Sequence, residues 1–197
     1  MHDSRRRRRA DRERELPEFR RRHRGETEAG LRGRGRRRPV IDHAAIRGIL
    51  PHRHPILLVD TVLEWHPFDR IVTTKAVSGS EPCYAGMAEG LGRSAYSYPK
   101  TLLIESFGQS GAVLWLESIR TRGESLDGTL IFAAARNVEF HRPVQPGDTV
   151  RHELKIDQLV GANAFLSGRS FVGDEPVMTV GEAIAVIRPN GSPAQEA

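Results

Sequence analysis

The chain has 197 residues, with 30 Lys and Arg against 25 Asp and Glu and a single cysteine, Cys83. This length fits one globular domain with or without a tail, and one cysteine excludes an intrachain disulfide framework and a multi-cysteine zinc site. We expect no metal and no cofactor. Because no run of 18 apolar residues occurs and the first 30 residues lack the apolar core of a secretory signal, we expect a cytoplasmic protein without a membrane span.

Residues 1–38 differ in composition from the rest of the chain. Sixteen arginines stand against seven acidic residues there, a net charge of +9, so the remainder carries −4 of the total of +5. A segment with almost no aliphatic residues cannot bury enough apolar surface to offset chain entropy. We therefore expect a disordered Arg-rich tail over 1–38, a folded domain over 39–190 and a flexible C-terminus over 191–197.

The tail is most simply a solvated extension. The alternative is an arm that docks on nucleic acid or on an acidic partner, since many arginines can release phosphate counterions. No interleaved aromatic residues, zinc-ligand spacing or helix-turn-helix pattern supports base recognition. We therefore do not expect nucleic acid as a partner.

Two stretches of the folded domain have helical patterns. Asp42 can cap a short helix over 43–49, before the turn at Pro51. Between Thr101 and Arg122 the spacing is helical again, and apolar residues surround several small ones. A helix that is apolar on nearly all sides must be buried on nearly all sides. The second helix should therefore lie at the centre of the fold.

Six β-rich runs are separated by Gly, Pro and Asp breakers. Two precede the long helix and four follow it, over 56–65, 70–77, 129–140, 149–159, 164–172 and 177–187. The short links between the last three runs favour hairpins and hence an antiparallel sheet. The Gly- and Ser-rich stretch 79–99 is predicted to be a structured loop. These patterns predict an α+β fold in which an antiparallel sheet of about six strands wraps around one long central helix.

Four blocks of the sequence carry a resemblance to a known family. They are 49–60 (ILPHRHPILLVD), Glu81-Pro82, 102–113 (LLIESFGQSGAV) and 138–148 (VEFHRPVQPGD). In order and nearly in spacing, they resemble the 3-hydroxyacyl-(acyl carrier protein) dehydratases of fatty acid synthesis, which have the hot-dog fold. The resemblance covers most of 42–187 and has no counterpart in the tail.

The resemblance implies a dimer whose two central helices lie side by side, with two acyl tunnels along the interface. In this family a histidine from the loop before the helix of one protomer removes the proton alpha to the thioester. A Glu or Asp from the helix of the other protomer assists departure of the 3-hydroxyl group as water. Backbone N–H groups at the helix start polarise the thioester carbonyl. The implied substrate is a 3-hydroxyacyl chain on acyl carrier protein.

Glu105 is the candidate catalytic acid. It is the only carboxylate between Gly90 and Trp115, on a helix otherwise suited to burial, and the resemblance assigns it the same role. An ionised carboxylate without a partner is costly to bury. The alternative is a structural glutamate that only pairs with Gln109, one turn further on.

The histidine of the resembled family is missing. Where that family has Gly-His-Phe-Pro-Gly, this chain has Gly-Met-Ala-Glu-Gly, so Met87 replaces the histidine, and the loop is longer by about four residues. No histidine lies between His66 and His141, and Glu89 is the best local substitute for the base. The remaining candidates, interpreted as scaffold histidines, are His52, His54 and His141.

The predicted substrate contacts surround the same loop and helix. Met87 should line the acyl tunnel as a flexible apolar side chain. Lys100, at the start of the helix, can offer its backbone N–H to the thioester, although its positive side chain opposes the helix dipole. The other two predicted contacts are Tyr98 and Gln109.

Three functions are compatible with these residues. In the first, the chain is a dehydratase subunit of fatty acid or polyketide-type biosynthesis, which supplies Glu105 to a composite site completed by a histidine-bearing homologue. In the second, it binds an acyl chain or acyl carrier protein without turnover. In the third, it acts alone, as a dehydratase that uses Glu89 or as a hot-dog thioesterase. The retained Glu105 favours the first, with low activity for the homodimer alone.

Overall fold

The computed structural model describes residues 40–124 and 128–190, so the predictions for 1–38 and 191–197 lie outside the described residues. The described part has two α-helices and six strands, with short 3-10 helices at Pro82–Tyr84 and Arg93–Tyr96. The elements are α1 (His43–Ile49), β1 (Thr61–His66), β2 (Arg70–Ala76), α2 (Lys100–Thr121), β3 (Thr129–Phe140), β4 (Thr149–Val160), β5 (Asn163–Val172) and β6 (Glu175–Arg188). Neither α-helix of this part has the length and apolar character that crossing a membrane requires.

All six strands form one antiparallel sheet in the order β1-β2-β4-β5-β6-β3. The links β4–β5 and β5–β6 are tight turns in which Gly161 and Gly173 adopt left-handed backbone angles, with φ of 57° and 61°. Glycine takes this conformation without a Cβ penalty. β3 follows the long helix and pairs with β6 at the edge of the sheet. The predicted α+β fold of six antiparallel strands and one long helix is confirmed.

The long helix α2 packs on the sheet through its apolar and small residues. Phe107, Val113 and Leu114 are fully buried. A Cβ at Gly111 would lie 3.1 Å from the side chain of Leu166 on β5, so this glycine allows a close approach between helix and sheet. The helix begins directly after Pro99, within one residue of the predicted start.

One face of α2 is open, whereas the sequence predicts that the helix is buried on nearly all sides. Glu105, Gly108, Ala112 and Leu116 are spaced along one stripe of the helix and remain partly exposed. One curled sheet can cover only one side of a helix, and α1 packs on a different part of α2. A stripe of small and apolar residues is therefore left uncovered in the single protomer.

The segment before β1 also differs from the prediction. The predicted strand over 56–65 begins only at Thr61. The backbone N–H groups of Ile56 and Leu57 donate to the carbonyl of Arg53, and that of Leu58 donates to the side chain of Gln109. Because these groups bind a turn and a helix side chain, they are not available to a strand ladder.

Candidate active site

Glu105 lies in the second turn of α2 and faces a cavity of 280 Å³. Its side chain is 32 % exposed in the protomer. The Oε1 atom accepts a hydrogen bond from Gln109 Nε2 at 2.7 Å. The predicted pairing of these two residues is therefore present, and the carboxylate also borders open space in which a ligand can sit. Pairing with Gln109 therefore does not close off the carboxylate, and the catalytic role of Glu105 stays a prediction.

The cavity is polar at one end and apolar along the rest of its length. The polar end is formed by the side chains of His52, Glu105 and Gln109. The other lining residues are small or apolar: Leu50, Pro51, Gly108, Ala112, Leu116, Leu130, Phe132 and Ala185. A cavity with a few convergent polar groups and apolar walls is suited to a molecule with one polar functional group on a hydrocarbon chain.

Gln109 fixes the segment before β1 against the helix. Its Oε1 atom accepts the N–H of Leu58 at 2.8 Å, and its Nε2 atom donates to the carbonyl of Ile56 at 2.7 Å and to Glu105. The side chain is 2 % exposed. Both amide hydrogens are therefore used within the protein. The predicted substrate contact of Gln109 stays a prediction, and the structure gives its amide a task in holding Glu105.

His52 lies at the polar end of the cavity. Its Nε2 atom is 3.5 Å from Glu105 Oε1, and its Nδ1 atom is buried with no hydrogen-bond partner among the described residues. The sequence interpretation of His52 as a scaffold histidine missed this contact. Because 53 positions separate the two residues, no local spacing pattern could have paired them. The Gln109 contacts, which hold the segment 56–58 on the helix, help to bring them together.

The other three residues predicted to contact the substrate are not among the described residues that line this cavity. Met87 is half-buried in the loop after the first 3-10 helix, and Lys100 is the exposed first residue of α2, with Nζ 4.8 Å from the Phe140 ring centroid. Tyr98 is buried and donates its N–H to the Val144 carbonyl at 2.8 Å, and its hydroxyl has no partner in the part of the chain that the structure describes. Burial raises the pKa of Tyr98 far above its ordinary value. The roles of these three residues stay predictions.

The predicted substitute base Glu89 and the predicted scaffold histidines His54 and His141 are exposed. Glu89 is exposed in the same loop as Met87, and His54 is exposed beside Arg53. His141 bonds through Nε2 to Thr179 Oγ1 at 2.8 Å, in keeping with a scaffold position. Among the described residues, none of these three lines the cavity that holds Glu105.

A buried ion pair anchors the start of the loop that carries Met87. Lys75 on β2 pairs with Glu81, and their side chains are only 7 % and 11 % exposed. Lys75 also donates to the carbonyl of Ala76. A buried charge is stable only when it is paired and hydrogen-bonded, as Lys75 is here. The loop therefore leaves the sheet from a fixed point.

A family model for the FabA-like domain matches residues 50–181. The chain is 38% identical over 138 residues to the 3-hydroxyacyl-(acyl-carrier-protein) dehydratase FabZ of Koribacter versatilis, covering 69% of this chain and 83% of that protein. It is 40% identical over 135 residues to the FabZ protein of Moorella thermoacetica, covering 68% and 89% of the two chains. The chain belongs to the FabA-like dehydratase family. The predicted resemblance is confirmed.

Solved structures agree with a FabA-like hot-dog fold. The dehydratase heterocomplex ApeI:P from Xenorhabdus doucetiae matches with a TM-score of 0.62 at 14% identity, covering 74% of this chain and 91% of that chain. The uncharacterized protein PH1136 from Pyrococcus horikoshii matches with a TM-score of 0.50 at 12% identity, covering 77% and 95%. At such identities the likeness shows the fold. The predicted hot-dog fold is confirmed.

Proposed function

We propose that this chain is a 3-hydroxyacyl-(acyl carrier protein) dehydratase subunit, in which Glu105 is the acid of a composite site and the base is a histidine from a homologous partner. The proposed setting is fatty acid or polyketide-type biosynthesis in the cytoplasm. The observation that carries the proposal is the position of Glu105 at the polar end of a cavity with apolar walls. A purely structural subunit does not require a carboxylate there.

The open face of α2 supports a dimeric arrangement. Glu105, Gly108 and Ala112 lie on this face and are only partly covered within the protomer. The small residues allow a second helix to approach closely, as the resemblance implies. A second hot-dog subunit on this face would cover the apolar stripe and bring its own loop towards Glu105.

A histidine supplied by another subunit explains how a family member can have Met87 in its loop. The solved structure ApeI:P is described as a dehydratase heterocomplex, so a hot-dog dehydratase can be built from two subunits. We extend this arrangement to the present chain as part of the proposal. One site of such a mixed dimer has Glu105 and the partner's histidine, whereas the other lacks a histidine.

The proposed reaction is an elimination of water. The partner's histidine removes the proton from the carbon alpha to the thioester, and those electrons form the double bond. The bond between the 3-carbon and its hydroxyl breaks as Glu105 gives its proton to the leaving oxygen. The products are an enoyl thioester, water, a protonated histidine and the Glu105 carboxylate. A proton transfer from the histidine to Glu105 through solvent restores the starting state.

Complementation between two inactive proteins tests the proposal. A histidine-bearing homologue from the same organism is prepared with its own helix carboxylate replaced by glutamine, so that its homodimer has a base but no acid. Mixed with the present chain, it should turn over a 3-hydroxyacyl thioester, and Glu105→Gln in this chain should lower kcat at least ~10²-fold, because glutamine cannot deliver a proton. Activity is followed by enoyl thioester formation.

The homodimer provides the matched control. Alone it should turn over the same substrate far more slowly than the mixed dimer, because general base catalysis contributes on the order of 10²–10⁴ in rate. Met87→His should raise this rate, whereas Met87→Gln, which is polar but not basic, should leave it low. Full activity of the unmodified homodimer, or unchanged turnover of the Glu105→Gln mixed dimer, would contradict the proposal. Absence of any mixed dimer would favour a binding protein.

A further inference from the structure

Two nitrogen atoms converge on the same oxygen of Glu105. Gln109 Nε2 donates to Oε1 at 2.7 Å, and His52 Nε2 lies 3.5 Å from that atom. The second distance is longer than a usual N–H···O hydrogen bond. Contacts of this length in free enzymes often shorten when substrate binds. Within the described residues, both contacts fall on Oε1.

The surroundings of His52 favour one of the two ring nitrogens as the carrier of the imidazole proton. A neutral imidazole carries one N–H, on either ring nitrogen. Among the described residues the buried Nδ1 atom has no hydrogen-bond partner in either form, so the contact at Nε2 decides. An N–H on Nε2 can donate to the Glu105 carboxylate in front of it, whereas an unprotonated Nε2 would direct its lone pair at that oxygen. The favoured form therefore carries its proton on Nε2, directed at Oε1.

The backbone of His52 is held on both sides. Arg53 donates from Nη1 to the carbonyl of His52 at 2.6 Å and to that of Leu50 at 2.8 Å. Leu50 is buried, and Gln109 fixes the chain at Ile56 and beyond. The imidazole is thus presented to Glu105 by a segment that is tied to the core and to α2. This rigidity is what a positioning residue requires.

We infer that His52 and Gln109 together reserve Oε1 of Glu105 as a hydrogen-bond acceptor, so that the transferable proton of the acid is carried by Oε2. This inference rests on the proposed function. An O–H on Oε1 would point its hydrogen at two donor hydrogens, whereas neither of these contacts occupies Oε2. In this scheme the acid proton on Oε2 is the one given to the substrate hydroxyl. His52 is a positioning residue in this scheme, because it acts through Glu105.

The first test is independent of activity. Nitrogen-15 NMR of the histidine-labelled homodimer distinguishes an imidazole protonated on Nε2 from one protonated on Nδ1. The His52 signals are assigned by their loss in His52→Gln. Protonation of the neutral ring on Nε2 is the expected result, and protonation on Nδ1 would overturn the inference whether or not the protein is a dehydratase.

The second test is kinetic and uses the complementing mixed dimer described above. His52→Leu removes the N–H and should lower kcat about tenfold with little change in KM, since a hydrogen bond to a charged group is worth about that factor. His52→Gln places an amide N–H at a similar reach and should restore kcat to within about threefold of wild type. His54→Leu, on an exposed histidine of the same segment, is the matched control and should behave as wild type.

The outcomes separate the two proposals. Loss of turnover in both His52→Gln and His52→Leu would make His52 itself a base and overturn the positioning role. Unchanged kcat in His52→Leu, or a lower melting temperature that accounts for the whole loss, would overturn it as well. If the wild-type mixed dimer shows no turnover, the proposed function fails, and the NMR result alone decides the arrangement at Glu105.

Discussion

At the scale of single residues, the helix and sheet are joined by polar pairs inside an apolar core. His152 on β4 is fully buried, with Nε2 2.9 Å from Ser106 Oγ on α2 and Nδ1 2.7 Å from Ser170 Oγ on β5. Thr73 on β2 bonds to Ser110 of the same helix at 2.7 Å. Each of these buried side chains therefore has a hydrogen-bond partner, which offsets the cost of burying it. These pairs fix the helix along its axis, and with it the position of Glu105.

The buried His152 predicts a loss of stability in mild acid. Burial lowers its pKa in the folded protein to about 3, whereas an unfolded chain has an ordinary histidine near ~6.5. Above the unfolded value both states are neutral and His152 contributes no pH dependence. As pH falls below ~6.5, only the unfolded state takes up the proton, so the free energy of unfolding decreases by roughly 1.4 kcal/mol per pH unit, down to the folded pKa.

Urea denaturation between pH 7 and pH 5 measures this slope. In the wild type, unfolding in this range should be coupled to the uptake of about one proton by His152. The His152→Gln variant should lose this uptake, because glutamine does not titrate in this range. The exposed His54→Gln variant should retain the wild-type slope. Equal slopes for wild type and His152→Gln would show that His152 is not the source of acid sensitivity.

At the scale of elements, the approach of α2 to the sheet depends on glycines in both partners. Gly168 on β5 faces Phe107 of α2, and a Cβ at Gly168 would lie 3.1 Å from the Phe107 ring and 2.3 Å from the Glu153 carbonyl oxygen. The second distance is well inside van der Waals contact, and its partner is backbone. A side chain here would push β4 and β5 apart or lift the helix.

Gly168→Ala should therefore destabilise the protein by about 1–3 kcal/mol, the usual effect of overpacking a core. For a domain of this size that lowers the melting temperature by roughly 3–10 °C. Gly48→Ala is the matched control, because Gly48 is exposed on α1 with no heavy atom within 4 Å of an added Cβ. It should be neutral or stabilising by about 0.5–1 kcal/mol. Equal melting temperatures for the two variants would contradict the packing argument.

At the scale of the whole molecule, the Arg-rich tail is predicted to be separate from the folded domain. Residues 1–38 lie outside the described part of the chain, so this expectation rests on composition, a net charge of +9 without an apolar stripe. Deleting 1–38 should change the melting temperature by less than about 5 °C, equivalent to roughly 1–2 kcal/mol for a domain of this size. A larger decrease in a calorimetric scan would show that the tail packs on the domain.

Much of the fold could be predicted from local patterns. α1 and β3 have their predicted bounds, and α2 differs from its prediction by one residue, because capping, helical spacing and period-two alternation are local properties. The start of β1 could not be predicted in this way. Residues 56–58 have strand-like composition, yet their backbone N–H groups donate to Arg53 and Gln109.

The candidate acid was identified from sequence alone, because a single carboxylate in an apolar helix stands out without any knowledge of contacts. The residues that surround Glu105 could not be identified in this way, because the tertiary structure brings them together. His52 precedes Glu105 by 53 residues and reaches it because long-range contacts, the Gln109 amide among them, hold its segment against α2. His152 shares the inward parity of Val150 and Leu154, a signal that could have placed it in the core, but its serine partners lie on two other elements. The sequence alone determined that a carboxylate lies in an apolar helix, whereas long-range packing decided which groups surround it, because hydrogen-bond partners distant along the chain leave no periodic signal.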